Sequence, residues 1–136
     1  MSADLARRAL ELTNGSLETS DEELAEVFTP DVVLDMTARV FNPHVYRGYE
    51  GLREFLSDTR EVWETLTMTE TEIVEEGDLV LVRTRIQSRG RGSGIALAVE
   101  GAGIWTVADG RLAHYRLLGE VERDEALAAL RDHAGM

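Results

Sequence analysis

The stretch from residue 79 to residue 118 constrains the fold of this chain more than any other. It contains three runs rich in β-branched and aliphatic residues, at 79–87, 95–107 and 112–118. Two links separate these runs, a glycine-rich one at 89–94 and the turn Ala108-Asp109-Gly110-Arg111. Apolar runs bounded by Gly or Asp-Gly are typical of β-hairpins. The sequence therefore predicts a meander of three antiparallel strands.

The chain before this meander is mostly helical in pattern. Ser2 and Ser20 are expected to cap the first two helices, which end near Asn14 and Pro30. The remaining predicted elements are strands at 32–36 and 67–75 and helices at 50–64 and 123–132. This order predicts a single α+β domain over residues 1–136, in which one curved antiparallel sheet packs three to four helices on its concave side. Such a sheet closes poorly at one end, where a ligand would enter.

Composition excludes several classes of protein. The 136 residues carry a formal net charge of −12, which disfavours nucleic acid and anionic membranes as partners. There is no cysteine and no lysine, so thiolate and Schiff-base chemistry are excluded. The three histidines lack metal-ligand spacing, and no motif calls for a cofactor, so neither is expected. Without a signal-peptide pattern, the cytoplasm is the expected location.

Aromatic side chains are the candidate walls of a pocket for a small hydrophobic molecule. Tyr46 and Phe41 lie in a long irregular segment, 37–49, of the kind that often borders a binding site. Trp63 is expected on the apolar stripe of the third helix, and Trp105 on the second strand of the meander. Leu118 joins them if its face of the last strand is turned inward. Core packing explains Trp63 equally well.

Three residues are candidates for catalysis. Asp35 follows the apolar run Val32-Val33-Leu34, so burial is expected to raise its pKa towards that of a general base. His114 titrates near neutral pH and could transfer protons, and Arg85 could hold an oxyanion. Strand parity leaves open which face of the last strand is inward. If Asp35 instead points outside, it is exposed or paired and its pKa is lowered.

Five segments of the chain resemble the SnoaL-like branch of the nuclear transport factor 2-like superfamily. They are 46–55, beginning Tyr46-Arg47-Gly48; 76–82, beginning Glu76-Gly77-Asp78; the glycine-rich 89–94; 104–112, with Trp105 and Asp109-Gly110; and 124–127, Asp124-Glu125-Ala126-Leu127. The resemblance implies a conical α+β fold that is frequently a homodimer. It also implies one of three functions: a cofactor-free isomerase, cyclase or dehydratase acting on a hydrophobic carbonyl metabolite, a non-catalytic ligand-binding module, or a dimeric interaction module.

The residues add a criterion for choosing among these functions. Two acids facing one cavity would favour the enzyme, and a cavity with aromatic walls alone would favour ligand binding. A cone filled by Trp and Leu side chains would favour the interaction module. The acid pair of the ketosteroid isomerases is not reproduced as a pair. The position of its general base falls near Asp35 and Met36, but the position of its proton-donating acid falls near Ala102, which has no acidic side chain.

Overall fold

The structure is a computed structural model that describes residues 2–14, 20–39 and 43–134. Its helices are α1 (Ser2–Asn14), α2 (Asp21–Val27), α3 (Gly48–Val62) and α4 (Arg123–Ala134). Its strands are β1 (Phe28–Asp35), β2 (Val45–Arg47), β3 (Trp63–Glu76), β4 (Leu79–Gly90), β5 (Ala96–Ala108) and β6 (Arg111–Gly119). None of the helices in the described ranges is both long enough and apolar enough to span a membrane.

The six strands form one curved, unclosed sheet in the order β2-β1-β6-β5-β4-β3. The predicted α+β class and the predicted meander, β4-β5-β6, are confirmed. The sheet is mixed, however, because β1 runs parallel to β6 while every other pair is antiparallel. A parallel pair needs a long crossover connection. Here that connection is the whole chain between the two strands, which the local patterns did not reveal.

The turn between β5 and β6 shows why the meander could be predicted. Asp109 and Gly110 both have positive φ, at 53° and 74°. A two-residue turn with positive φ at both central positions is type I′, whose twist matches that of the flanking strands, and Asp-Gly is one of its preferred sequences. Local backbone chemistry thus sets the pairing next to the turn, Val107 with Leu112, and a one-residue shift of register between Val107 and Thr106 then places Trp105 beside Tyr115.

The sheet separates two hydrophobic clusters. The inner face is the one covered by α1, α2 and α3, and its buried residues include Val80, Val82 and Trp105. The outer face is the opposite one, where α4 covers part of β4 and β5. Its buried residues are Leu79, Leu81, Ala102 and Ile104, which pack against Ala126 and Leu130 of α4. Three helices therefore pack on the inner face, the lower of the two numbers predicted, and α4 lies on the opposite face.

Three predicted boundaries also shift. Helix α2 ends at Val27, and Pro30 lies inside β1 instead of directly after the helix. Helix α3 ends at Val62, so Trp63 begins strand β3 and does not lie on the helix stripe. Part of the segment predicted to be irregular forms β2, whose pairing with β1 places Tyr46 beside Leu34. Tertiary pairing, which local patterns do not report, decides each case.

Candidate functional site

A cavity of about 110 Å³ lies between the inner face and helices α1 to α3. Twenty-one residues line it: Ala6, Ala9, Leu10, Leu12 and Thr13 of α1, Leu24 of α2, Phe28, Leu34 and Met36 on and after β1, Leu52, Phe55 and Leu56 of α3, and Met68, Val82, Thr84, Ile86, Gly101, Ala102, Trp105, Tyr115 and Leu117 of β3 to β6. No acidic, basic or histidine side chain of the described residues is among them. The cavity is an apolar chamber.

Three hydroxyl groups interrupt this apolar wall, those of Thr13, Thr84 and Tyr115. The Thr13 hydroxyl donates to the carbonyl of Ala9, 2.9 Å away, one turn earlier in its own helix. The other two hydroxyls make no hydrogen bond with any residue in the described part of the chain. Both therefore have donors and acceptors left over for a molecule in the cavity. Two unpaired hydroxyls at one cavity are therefore candidates for contact with a ligand.

Tyr115 lies across the neighbouring strand β5. A side chain at Gly103 would overlap the Tyr115 ring and hydroxyl, so the missing side chain of this glycine makes room for the tyrosine. The Tyr115 ring packs against Trp105 with centroids 4.7 Å apart, and Trp105 packs against Phe28 at 5.7 Å. The aromatic rings thus form a continuous wall, and they hold the tyrosine in place.

Burial raises the pKa of Tyr115 to about 12. The phenol is therefore protonated at neutral pH, because its usual pKa is already near 10 and burial disfavours the charged form. A protonated phenol can donate a hydrogen bond to an acceptor in the cavity. It cannot act as a base on a carbon acid at that pH. The chemistry offered here is a neutral donor in an apolar chamber.

Neither Tyr115 nor Thr84 was a candidate in the sequence analysis. A signal for the tyrosine exists in the spacing of Gly101 and Gly103, which place two missing side chains on the same face of β5. Glycine inside a strand often marks the close approach of another group. Tyr115 is the large side chain on the adjacent strand that fills the gap. No comparable signal distinguishes Thr84 from other strand threonines.

Of the five residues predicted to contact substrate, Trp105 lines the cavity. Trp63 is half-buried at the start of β3 and does not line it. Leu118 lies in the outer-face cluster, beneath α4. Tyr46 is fully buried behind Phe55, with ring centroids 5.6 Å apart, and it is Phe55 that reaches the cavity. Phe41 lies outside the described residues.

Tyr46 belongs to a separate polar cluster. Its hydroxyl donates to Asp58 Oδ2 at 2.8 Å and accepts from Arg39 Nη1 at 3.2 Å. Burial and the neighbouring Asp58 carboxylate raise the pKa of Tyr46. The Arg39 guanidinium lies over the rings of both Tyr46 and Phe55, at 5.7 and 5.4 Å from their centroids. This hydroxyl is fully engaged in holding the segment after β1 against α3, so it is not available to a ligand.

Asp35 points to the outer face, because Leu34 beside it lines the cavity and neighbours on a strand alternate. Its Oδ1 accepts from the Thr37 hydroxyl at 2.6 Å and from the Thr37 backbone N–H at 3.1 Å. These two hydrogen bonds lower the pKa of Asp35. The prediction of a raised pKa was wrong, and the alternative, a carboxylate directed outward with a lowered pKa, is the one observed.

His114 also faces outward, since Tyr115 and Leu117 of the same strand line the cavity. It lies beside Val33 of β1, so it is on the opposite face of the sheet from Tyr46. Partial burial lowers the pKa of His114. The Asp35 carboxylate acts in the opposite direction and raises it, whereas His133 and Arg116 lower it further. The sheet therefore separates His114 from Tyr46.

Arg85 is exposed on the outer face of β4, where it lies between Thr69 of β3 and Glu100 of β5. Its strand neighbours Thr84 and Ile86 are the ones that line the cavity. Asp35, His114 and Arg85, the three predicted catalytic residues, thus share the outer face and do not reach the chamber. Within the described ranges, no three histidine or acidic side chains are grouped so that they could bind a metal ion.

Comparison with known proteins agrees with this architecture. A family profile described as the SnoaL-like domain matches residues 7–115. No curated protein matches the sequence. Three solved structures illustrate the similarity of fold, and all are 20% identical or less.

A putative SnoaL-like polyketide cyclase from Jannaschia sp. CCS1 is 20% identical with a TM-score of 0.73, covering 96% of this chain and 88% of its own. TerC, co-crystallised with polyporic acid, is 16% identical with a TM-score of 0.72, covering 96% and 95%. A hypothetical protein from Catenulispora acidiphila with a ketosteroid isomerase-like fold, in complex with trimethylamine, is 17% identical with a TM-score of 0.71, covering 91% and 89%. With the profile spanning most of its length, the chain belongs to the SnoaL-like domain family.

Proposed function

We propose that this protein binds a small, largely apolar molecule in the inner cavity and holds it by a hydrogen bond from Tyr115. The observation that carries the proposal is an unpaired, protonated phenol in a chamber whose other walls are mostly hydrocarbon. Binding sites for small molecules typically combine apolar walls with a few placed polar groups. Burial of the apolar ligand surface would supply most of the affinity, at about 25 cal/mol per Å².

Ligand binding is favoured here over proton-transfer catalysis. A cofactor-free isomerase, cyclase or dehydratase needs a base within hydrogen-bond reach of the substrate proton. The described cavity lining offers no carboxylate and no imidazole, while Asp35 and His114 lie on the other side of the sheet. Tyr115 could polarise a carbonyl, but a donor without a base does not complete the reaction. The cavity matches the criterion of aromatic walls without a pair of acids.

Two proteins of the same fold add general support. TerC was crystallised with polyporic acid, and the Catenulispora acidiphila protein with trimethylamine, so this fold accommodates small organic molecules of different kinds. Their identities to this chain are below 20%, and their ligands therefore do not identify the one bound here. The ligand of this protein must instead be inferred from the size and polarity of its own cavity.

A screen of neutral fragments by ligand-observed NMR would test the proposal. We expect several apolar fragments to bind the wild-type protein and to be lost from Gly101→Leu, whose side chain would enter the cavity. A Cβ at Gly101 meets its nearest neighbours at 3.5 and 3.6 Å, which are ordinary contacts, so Gly101→Ala serves as a folded control. Fragments that bind wild type and Gly101→Leu equally well occupy another surface, and that result would contradict the proposal.

We also propose that the domain forms a homodimer. The three large hydrophobic side chains that are exposed in the described chain, Val62, Ile95 and Leu97, occur at one end of the molecule. The Arg91 N–H donates to the Val62 carbonyl at 3.1 Å, which brings the end of α3 to the β4–β5 link that leads into Ile95 and Leu97. An exposed apolar cluster of this kind is typical of a protein contact. Light scattering at micromolar concentration should give twice the monomer mass, and Leu97→Asp should reduce it; a wild-type monomer would exclude the dimer.

A further inference from the structure

The volume of the inner cavity restricts the choice of ligand more than the chemistry of the cavity wall does. An apolar cavity of about 150 Å³ in another protein holds a single benzene molecule. The cavity here is about 110 Å³. On this scale a single aromatic ring already fills the cavity, so a substituent must reach towards the open side, and a second fused ring fits only if the walls move apart. Most of the wall is formed by packed side chains of α1, α3 and the sheet, and large displacements of such a core are costly.

One end of the wall is additionally fixed by hydrogen bonds. The side-chain amide of Asn14 donates to the Met68 carbonyl at 2.8 Å and accepts from the Met68 N–H at 2.9 Å. Nearer the start of the same helix, the Arg7 guanidinium binds Glu70 through two contacts of 2.9 and 3.3 Å. These contacts hold α1, which provides five lining residues, against the edge strand β3. Helix α1 is therefore held in place along this side of the cavity.

The wall also favours a flat ring. Phe28, Phe55, Trp105 and Tyr115 all line the cavity, and the sulfur-bearing side chains of Met36 and Met68 complete the lining around them. Aromatic rings attract one another in offset and edge-on arrangements, and thioethers make favourable contacts with ring edges. A saturated ring of the same size would bury a similar area but would gain neither interaction.

Charge and hydration restrict the polar part of the ligand. An anion or a cation would enter a chamber without a counter-charge among the described lining residues, and an unpaired buried charge is strongly disfavoured. Water would find only the minimum number of polar partners there, because a buried water needs two to four, and Tyr115 and Thr84 offer two hydroxyls. A neutral acceptor such as a carbonyl oxygen would replace that water and receive the hydrogen bond from Tyr115.

We infer that the ligand is a neutral compound with a single aromatic ring and one carbonyl acceptor, which binds with the acceptor at Tyr115 and the ring among Phe28, Phe55 and Trp105. This inference rests on the proposed function and makes it specific. It excludes polycyclic compounds and aromatic carboxylates as ligands of the cavity, and it ranks saturated rings below aromatic ones. The expected preference is for the pair of features together, since the ring and the acceptor contact different parts of the wall.

Isothermal titration or ligand-observed NMR with five probes would test the inference. Acetophenone carries both features, isopropylbenzene replaces the carbonyl by a hydrocarbon of similar shape, and cyclohexyl methyl ketone replaces the aromatic ring. 2-Acetylnaphthalene adds a second ring, and benzoate adds a charge. We expect acetophenone to bind about tenfold more tightly than isopropylbenzene, as one hydrogen bond in an apolar site allows. We expect weaker binding of the saturated ketone and no measurable binding of the last two probes.

Two variants identify which hydroxyl donates the hydrogen bond to the ligand. Tyr115→Phe should remove the advantage of acetophenone over isopropylbenzene while the affinity for isopropylbenzene stays the same. Thr84→Val should keep that advantage, and a loss in Thr84→Val alone would overturn the role given to Tyr115. Tighter binding of 2-acetylnaphthalene or of benzoate would overturn the inferred ligand class but leave the proposed function intact. Failure of every probe and of the neutral-fragment screen would overturn both.

Discussion

The two faces of the sheet differ in the kind of residue they carry. The inner face carries an unpaired phenol and an apolar cavity, and the outer face carries the aspartate, histidine and arginine that would usually attract attention as catalytic residues. These sets alternate along the same strands. On β6, His114 and Arg116 point outward, whereas Tyr115 and Leu117 point inward. One step along a strand therefore separates a candidate for catalysis from a candidate for ligand contact.

Charged residues on the outer face have partners within the protein and do not require a ligand to account for them. Glu72 accepts hydrogen bonds from Arg83 at 2.9 Å and from Arg123 at 2.9 and 3.0 Å, which joins β3, β4 and α4. These bonds lower the pKa of Glu72. Asp35 similarly closes a turn with Thr37. Residue types suited to catalysis can thus serve as local connections, and the face on which they lie decides between the two roles.

The largest effect is expected where α4 covers the outer face. Leu81 is fully buried between the sheet and α4, so Leu81→Ala should lower the free energy of unfolding by about 2–5 kcal/mol. Arg85, on the same face of the same strand, is exposed, and Arg85→Ala should change it by less than about 0.5 kcal/mol. Urea denaturation of both variants would test this. Equal effects would mean that α4 does not protect the outer face.

The next effect concerns the space that Tyr115 occupies. Gly103→Ala places a methyl group within the Tyr115 ring position, so the ring must move against Trp105, at an expected cost of about 1–3 kcal/mol. Gly101→Ala, two residues earlier on the same face, makes ordinary contacts and should leave stability nearly unchanged. Denaturation curves of the two variants provide the comparison. Similar stability for both would show that Tyr115 does not depend on the gap over Gly103.

Two tyrosines of the inner cluster should respond differently to loss of their hydroxyl groups. Tyr46→Phe removes a hydrogen bond to the Asp58 carboxylate and should cost about 1.5 kcal/mol. Tyr115→Phe removes a hydroxyl that has no partner in the described chain and should change stability by less than about 0.5 kcal/mol. Thermal or urea unfolding would measure both. A large loss in Tyr115→Phe would reveal a structural role and weaken the case for a ligand contact.

The smallest effect should be the pH dependence contributed by His114. Burial lowers the pKa of His114 below its ordinary value of 6.5, so the unfolded chain takes up a proton there at a higher pH than the folded protein does. Its contribution to stability is therefore complete above pH 6.5 and is lost as the pH falls through the folded-state pKa. His114 is partly exposed, so the change is small. Urea unfolding as a function of pH should show a weaker decline for His114→Gln; an unchanged decline would contradict this assignment.

Much of the fold could be predicted because its signals are local. The Asp109-Gly110 turn requires positive φ at both positions, and the capping pair Ser20 and Glu23 begins α2 as expected, with the Glu23 N–H donating to the Ser20 hydroxyl at 3.2 Å. The parallel pairing of β1 with β6 was not predicted, because it joins segments that are distant along the chain. Trp63 was assigned to the wrong element since helix and strand patterns overlap at that boundary.

The sequence by itself determined the elements of the meander, the α+β class and the family resemblance, because periodicity, turn residues and short motifs act within a few positions of one another. It also determined that the face of β6 containing Tyr115 is distinct from the one containing His114. Only the tertiary structure decided which of these faces is inward. That choice depends on where α1 to α4 pack, and both faces offer enough apolar residues to bury, so the alternation along the strand is compatible with either orientation.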